Sequence, residues 1–275
     1  MYTYIDNIED LAYLNKEFLN KKYLGVDTEF RRTNKDNMSL ALLQINDEVE
    51  TYLIDALAIG NPGVHARFLF SDSVTKIFHS CKEDIEAIYA WTGNKIVNVF
   101  DTQVANSLLN GEYSIGYQSL VLEKLGINLE KKETRSNWIR RPLSDSQLKY
   151  AALDVEYLIY IYKDQKEELS SSKKCSWNKE ETAVIIENIF SMPFNNVELN
   201  RTISKSEEIL LLSKFNLIID RISKREKINP TLFFSKKMQK DFLRFFLLKG
   251  YEDAYAEITT WRKNLIKDDF NKIFK

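Results

Sequence analysis

Asp27 and Glu29 stand two residues apart in YLGVDTEF, Asp84 falls in IFHSCKEDIEAI, and Tyr150 and Asp154 stand four apart in LKYAALDVEYL. On a strand, residues two apart leave the same face, so Asp27 and Glu29 point together. Two such carboxylates near a core repel each other and resist desolvation unless a cation neutralises them. A divalent metal meets both demands. On a helix, residues four apart share a flank, which aims a phenol and a carboxylate at one neighbour. Phosphodiester hydrolysis by two hard cations about 4 Å apart needs roughly four carboxylates from different elements, one cation activating water and the other stabilising the leaving 3′ oxygen. Asp27, Glu29, Asp84 and Asp154 are thus the candidate metal ligands, and with Tyr150 they form the candidate catalytic set.

The elements that must position them can be read from the hydrophobic pattern. Short β-rich runs (YLGVDTEF, LALLQI, TYLID, TKIFHS, KIVNVF) alternate with turn signals through the first hundred residues, the first three close enough for a hairpin meander. Between the fourth and fifth runs, Ser80 and Glu83 read as a capping box opening a helix with apolar Ile85, Ile88 and Tyr89. Asp101, at a strand end before a helix, reads as an N-cap. His79 precedes Asp84 by five and suits either substrate contact or a hydrogen-bonded core position. Residues 147 to 163 place Leu148, Ala151, Ala152, Val155, Leu158, Ile159 and Tyr162 on one stripe, predicting a single amphipathic helix.

The 275 residues, 44% apolar and 29% charged, describe an ordinary globular chain with room for one full core and a small second domain. Asp6, Glu9 and Asp10 crowd the N-terminus where a targeting segment would be basic and apolar, and nowhere do about 20 apolar residues run together. Cys81 and Cys175 lack metal-ligand spacing and read as reduced thiols. The expectation is a cytoplasmic protein that does not span a membrane and shows no sign of an obligate protein partner. Charge is unevenly spread. From residue 200 onward 17 Lys or Arg face 10 Asp or Glu, against 22 and 30 before it, as for an acidic metal site joined to a module drawn to polyanions.

The polar SSSKKC stretch is the best linker candidate, followed by a helix over residues 178 to 191 that Pro193 stops. Helical patterns then occupy about 205 to 223 and 235 to 248, with breaks at Asn229-Pro230 and Gly250. The expected organisation is a catalytic domain over 1–170, a linker with one helix over 171–203 and a helical domain over 204–275.

Across most of residues 20 to 165 the chain resembles the ribonuclease D family of 3′ to 5′ exonucleases, whose site is three aspartates, a glutamate and a tyrosine. The segments that carry the resemblance are VDTEF with Arg32, LALLQI with Gln44, HSCKEDIEAI, FDTQVANSLL and SIGYQSLVLEKLGINLEKKETRSNWIRRPLSDSQLKYAALDVEYL. Lys149 stands where the histidine branch of that superfamily would have His, which points to the tyrosine branch. The resemblance implies an α/β fold with an RNase H-like mixed five-stranded sheet flanked by helices. It also implies two divalent cations, Mg²⁺ or Mn²⁺, with Asp27, Glu29 and Asp154 on the one that activates water and Asp27 with Asp84 on the other. Tyr150 would orient the water. Arg32, Gln44, His79, Arg135 and Arg141 are the candidate substrate contacts. Asn34 to Met38 replace a Tyr-x-Pro stretch usual in the family, and Asn137 replaces an Asp that commonly precedes the Trp. NPTLFF and ITTWRKNLIKDDFNKIF resemble the small helical HRDC domain shared by helicases and ribonuclease D, in a short form with room for one copy. The implied activity is removal of nucleotides one at a time from RNA with a free 3′ end, tRNA precursors included. The rival readings are a DNA 3′ to 5′ exonuclease, since the 2′-OH is the only local difference, and a non-catalytic RNA-binding protein of the same fold.

Overall fold

A computed structural model describes residues 2–34, 37–129, 133, 136–190 and 202–274. The chain divides into two compact units, one of Met1–Gln103 with Ile115–Glu168, the other of Val104–Ser114 with Leu169–Lys275. In chain order the first unit is built from β1 (Tyr2–Ile5), α1 (Ile8–Leu19), β2 (Tyr23–Asn34), β3 (Asn37–Asn46), β4 (Thr51–Asp55), α2 (Ala56–Ile59), β5 (Thr75–Phe78), α3 (Lys82–Thr92) and β6 (Val99–Asp101). The helices α4 (Thr102–Leu108), α5 (Tyr117–Leu125), α6 (Asp145–Glu156) and α7 (Leu158–Ser171) follow, and the division between units falls within α4 and α7.

The strands form one mixed sheet in the order β1-β4-β3-β2-β5-β6. β2, β3 and β4 are antiparallel neighbours, the meander that the close spacing of their runs predicts. β5 adds parallel to β2, and β6 parallel to β5. The sheet has six strands where the sequence suggested five. The extra strand is β1, paired parallel to β4 at the edge; four residues with mixed exposure give too short a pattern to read. Leu24, Val26, Leu42, Leu43, Ile45, Leu53, Ile54 and Ile77 are all fully buried, so the middle strands are covered on both faces.

A bulge interrupts the β2–β3 ladder where Glu29 pairs with Leu42 but Phe30 pairs with Leu40, leaving Ala41 as the extra residue. Its carbonyl accepts from Arg141 Nη2 at 2.9 Å. The same guanidinium grips both oxygens of Asp55, Nε to Oδ2 at 2.5 Å and Nη2 to Oδ1 at 2.8 Å, and Nη1 donates to the carbonyls of Trp138 and Arg140. Every N–H of Arg141 is therefore engaged inside the protein. Asp55 also caps α2 through the amides of Leu57 and Ala58 and accepts from Tyr4 at 2.5 Å. These bonds, led by Arg141, hold the buried Asp55 carboxyl below its usual range despite the desolvation that opposes them.

In the second unit, α8 (Cys175–Phe190) answers to the helix expected over 178–191, and α9 (Lys205–Glu226), α10 (Pro230–Phe233), α11 (Lys236–Lys249), α12 (Tyr251–Ala256) and α13 (Thr260–Phe274) give the helical pattern expected from residue 204 onward. Its centre is built around Trp261 and Arg262 of the ITTWRKNLIKDDFNKIF segment. Trp261 stacks on Trp177 at 4.8 Å and on Phe233 at 5.5 Å, while Arg262 pairs with Glu181 and donates to the carbonyls of Phe233 and Leu232. Pro193 lies outside the described residues.

Arg141→Leu should leave the Asp55 carboxylate without its cation and lower unfolding stability by about 2–3 kcal/mol, as expected when one partner of a largely buried pair is removed. Urea denaturation measures this, and a loss under about 0.5 kcal/mol would show that the pair is dispensable.

Candidate active site

Asp27 and Glu29 leave β2 on the side covered by α6, as strand alternation requires. β5 pairs with β2 only at Tyr23, Leu24 and Gly25, so the Asp27–Glu29 stretch is bonded to β3 alone and its other edge is open. The chain leaving β5 turns at once into α3, whose first turn brings Asp84 to that open edge. There Thr28 Oγ1 donates to Asp84 Oδ1 at 2.5 Å. The turn itself differs from expectation. Ser80 does not cap α3: it sits at φ +66, the cap position is Cys81, and no side-chain cap bond forms. Asp101 replaces it from β6, accepting the amides of Ser80 at 3.1 Å and Cys81 at 2.8 Å while also capping α4 through Gln103 N at 2.8 Å.

Asp154 comes from α6, which a Ser144–Gln147 capping box opens. Gly25 sets how near the helix lies: a Cβ there would meet Val155 O at 3.1 Å and Leu158 Cβ at 3.2 Å. The expected single helix over 147–163 is broken after Glu156. In place of the direct Tyr157 N–Leu153 O bond, the Tyr117 hydroxyl accepts from Tyr157 N at 3.1 Å and donates to Leu153 O at 3.3 Å. A hydroxyl inserted into the ladder bends a helix, and this one is inserted beside Asp154. Tyr150 hydrogen-bonds Asp154 and packs its ring on Trp138 at 6.2 Å.

One carboxylate oxygen each from Asp27, Glu29 and Asp154 lies within 4.8 Å of the others, and all three residues are half-buried. Asp84 is outside this group of three yet close enough to act electrostatically on each member. Burial, then repulsion from Asp84, Asp154 and Glu29, lifts Asp27 well above the ordinary carboxyl range. Burial with the charges of Asp154 and Asp84 pushes Glu29 up to about 9. Burial brings Asp84 and Asp154 each to about 7, against the lowering bonds from Thr28 and Tyr150. No Lys or Arg among the described residues forms an ion pair with any of the four. An all-oxygen donor set that is crowded, half-buried and lacking a protein cation fits a hard divalent ion.

The remaining candidates lie elsewhere or are otherwise engaged. Arg141 is consumed by Asp55 and backbone carbonyls, so the expected phosphate contact gives way to a structural clamp. His79 is the core histidine of the two alternatives, Nδ1 bonded to Thr102 Oγ1 at 2.9 Å and Nε2 to Ile115 O at 2.8 Å. Desolvation holds its pKa down. Gln44 is directly across from Asp27 in register but 0% exposed, which places it in the core rather than against a bound nucleotide; neither carboxamide atom has a hydrogen-bond partner among the described residues. Arg32 is ion-paired with Glu86 and lies 3.7 Å from Glu83. Arg135 lies outside the described residues. Sequence reasoning passed over Thr28, Gly25 and Tyr117. The first two sit in or beside VDTEF and could have been weighed there, whereas Tyr117 acts through tertiary contact and left no local signal.

The raised pKa values have a thermodynamic consequence. Carboxyls that hold protons more tightly when folded than when unfolded make folding take up protons, so the stability from their neutral forms is complete at low pH and is lost as pH rises through about 7 and then about 9. In the absence of metal, Tm should therefore fall across roughly pH 5 to 9, and the rise in Tm on adding Mn²⁺ or Mg²⁺ should grow over the same range. Thermal melts in chelator and in metal test it; a metal-induced rise that is flat or shrinks with pH would dissociate cation binding from these carboxylates.

Residues 2–170 match the family model described as 3′-5′ exonuclease. A ribonuclease D of Pseudomonas paraeruginosa is 38% identical over 179 residues, 65% of this chain and 47% of that protein. The chain spans about half the length of the curated relatives it matches. Among solved structures, Escherichia coli RNase D, an exoribonuclease involved in structured RNA processing, superposes with a TM-score of 0.68 at 23% identity, over 98% of this chain and 73% of that one. Brucella melitensis NrnC with bound Mg²⁺ gives 0.60 at 21% identity, over 71% of this chain and 98% of that one. The match through β2, α3 and α6, with the acidic cluster they assemble, places this chain in the 3′-5′ exonuclease family.

Proposed function

We propose that the chain is a metal-dependent 3′ to 5′ exoribonuclease that removes nucleotides singly from RNA 3′ ends, with 3′-extended tRNA and other stable-RNA precursors as its substrates in the cytoplasm. The observation that carries this reading is the approach of Asp27, Glu29 and Asp154 to within 4.8 Å of one another, with Asp84 beside them. The ribonuclease D identity of the relatives supports RNA over DNA.

In this reading Asp27, Glu29 and Asp154 hold one divalent cation and Asp27 with Asp84 a second, Mg²⁺ or Mn²⁺. Bound there, the cations supply Lewis acidity toward water and toward the departing 3′ oxygen. The protein supplies placement. Tyr150, held on Asp154, offers its phenol to orient the attacking water, and Trp138 keeps that ring from swinging away. Asp154 thereby links charge and position in one side chain. Thr28 fixes the Asp84 carboxylate against β2, and the open edge left by the short β5 gives the RNA terminus its approach. Catalysis is assigned to residues 1–170, with 171–203 as a joint. The helical 204–275 segment is read as an HRDC-like domain whose excess of Lys and Arg attracts the phosphate backbone without sequence preference.

Incubating the full chain with matched 5′-labelled single-stranded RNA and DNA, and with a 3′-extended tRNA, in Mg²⁺, Mn²⁺ or chelator, tests substrate, direction and cofactor together. Stepwise shortening of RNA from its 3′ end, abolished by chelator, is expected; cleavage of DNA alone, or of neither, overturns the reading. Asp27→Ala or Asp154→Ala should lose at least ~10³-fold in rate while remaining folded, because the water-activating cation loses a ligand in either case. Tyr150→Phe should bind metal normally yet slow single-turnover cleavage roughly 10 to 10³-fold, a loss of positioning. Near-normal cleavage in Tyr150→Phe would leave the tyrosine with a packing role only.

A further inference from the structure

We propose that Arg32 is a positioning residue for Asp84, acting through Glu86 of α3, and that it is not a contact to the nucleic-acid backbone. The inference rests on the two-cation reading above.

Thr28 and Arg32 stand four positions apart on β2, and the bulge between them has its extra residue in β3, so both side chains leave β2 on the same face. α3 receives both. Thr28 donates to Asp84, and Arg32 Nη2 pairs with Glu86 and lies 3.7 Å from Glu83. Glu83, Asp84 and Glu86 occupy the start of one helix, so β2 grips that helix on the catalytic aspartate and on the two glutamates flanking it.

The grip has work to do. Asp84 repels Asp27 and Asp154, the carboxylates it must approach, and the start of α3 carries three acids against the one Lys82, with no side-chain cap from its own cap residue. Left to these forces, the first turn of α3 would move off the open edge of β2. Two attachments oppose that movement. The Thr28 bond is a single hydroxyl contact, whereas the Arg32 pair brings a guanidinium from β2 to the glutamates of the turn, tying strand to helix. A half-exposed pair contributes little to global stability, so its value lies in geometry. Arg32 is also close to Met38 across the hairpin, which anchors its guanidinium from the β3 side. A guanidinium so engaged is placed to hold α3 rather than to reach for substrate.

The test uses the full chain with Arg32→Gln, Glu86→Gln, the double variant, and the charge exchange Arg32→Glu with Glu86→Arg. Three measurements are made: Mn²⁺ binding by titration calorimetry without nucleic acid, steady-state kinetics (kcat, KM) on an oligoribonucleotide shortened from its 3′ end, and thermal melting to verify folding. Each single variant should weaken the weaker Mn²⁺ site about 10-fold and lower kcat about 10-fold, with KM within about twofold. The double variant should be no worse than either single one, because both break the same link, and the charge exchange should restore most of the Mn²⁺ affinity. A KM raised about 10-fold in Arg32→Gln while Glu86→Gln behaves as wild type would make Arg32 a phosphate ligand and overturn the proposal. Unchanged Mn²⁺ binding in both single variants overturns it as well. A wild-type chain that takes up no Mn²⁺ overturns the underlying two-cation reading, whereas normal uptake by wild type with silent variants overturns this inference alone.

Discussion

Repulsion among Asp27, Glu29, Asp84 and Asp154, confined in a half-buried space where none of them is ion-paired with a Lys or Arg among the described residues, is the constraint around which the first unit is arranged. Left alone, such groups separate or protonate. Here the four carboxylates are divided among three rigid elements. Asp27 and Glu29 ride on a central strand covered on both faces, Asp84 is tied to Thr28 at a helix start, and Asp154 sits one residue before the end-turn contact of Val155 with Gly25. The sheet and two helices together store what a single loop could not hold. The unpaired charge that results is what gives the site its appetite for a hard dication.

Two small features set the spacing of that arrangement. Gly25 removes the one Cβ that would keep α6 from lying flush on β2, and the Tyr117 hydroxyl bends the helical run just past Asp154. Neither touches the carboxylates. Their effect is to choose the height and the tilt of Asp154 above the strand, so the geometry of the acidic cluster depends on residues whose own chemistry is ordinary. The same is true of Arg141, which satisfies a bulge carbonyl and Asp55 and thereby secures the β3–β4 side of the layer.

Much of this was legible in the sequence because the acidic residues lie in elements with strong patterns. VDTEF sits in an apolar β run, Asp84 follows one, and Tyr150 and Asp154 lie on the flank of a helix with a well-formed apolar stripe. What escaped was tertiary. β1 is too short to show a period, and the break at Tyr157 comes from a tyrosine 40 positions away in the chain. The Ser80 to Glu83 pattern suggested a cap, yet the amides at that turn go to Asp101 on another strand. Positive charge was equally hard to place, for Arg32 and Arg141 stand in motifs that resemble substrate contacts and are bound to protein carboxylates. A residue's type says what it can bind; only the fold says which partner reaches it first.

The cluster draws its members from segments far apart in the chain, with α6 the last to be made. A nascent chain that has delivered β2, β3 and α3 to the ribosome's exterior still lacks Asp154, Tyr150 and the helix that closes over Gly25. The Arg141 bond to the bulge carbonyl of β3 also has to wait for residues made late. The acidic centre is therefore completed only near the end of synthesis of its unit, and throughout the earlier part of translation the growing polypeptide lies beside ribosomal RNA without a finished cation-binding group.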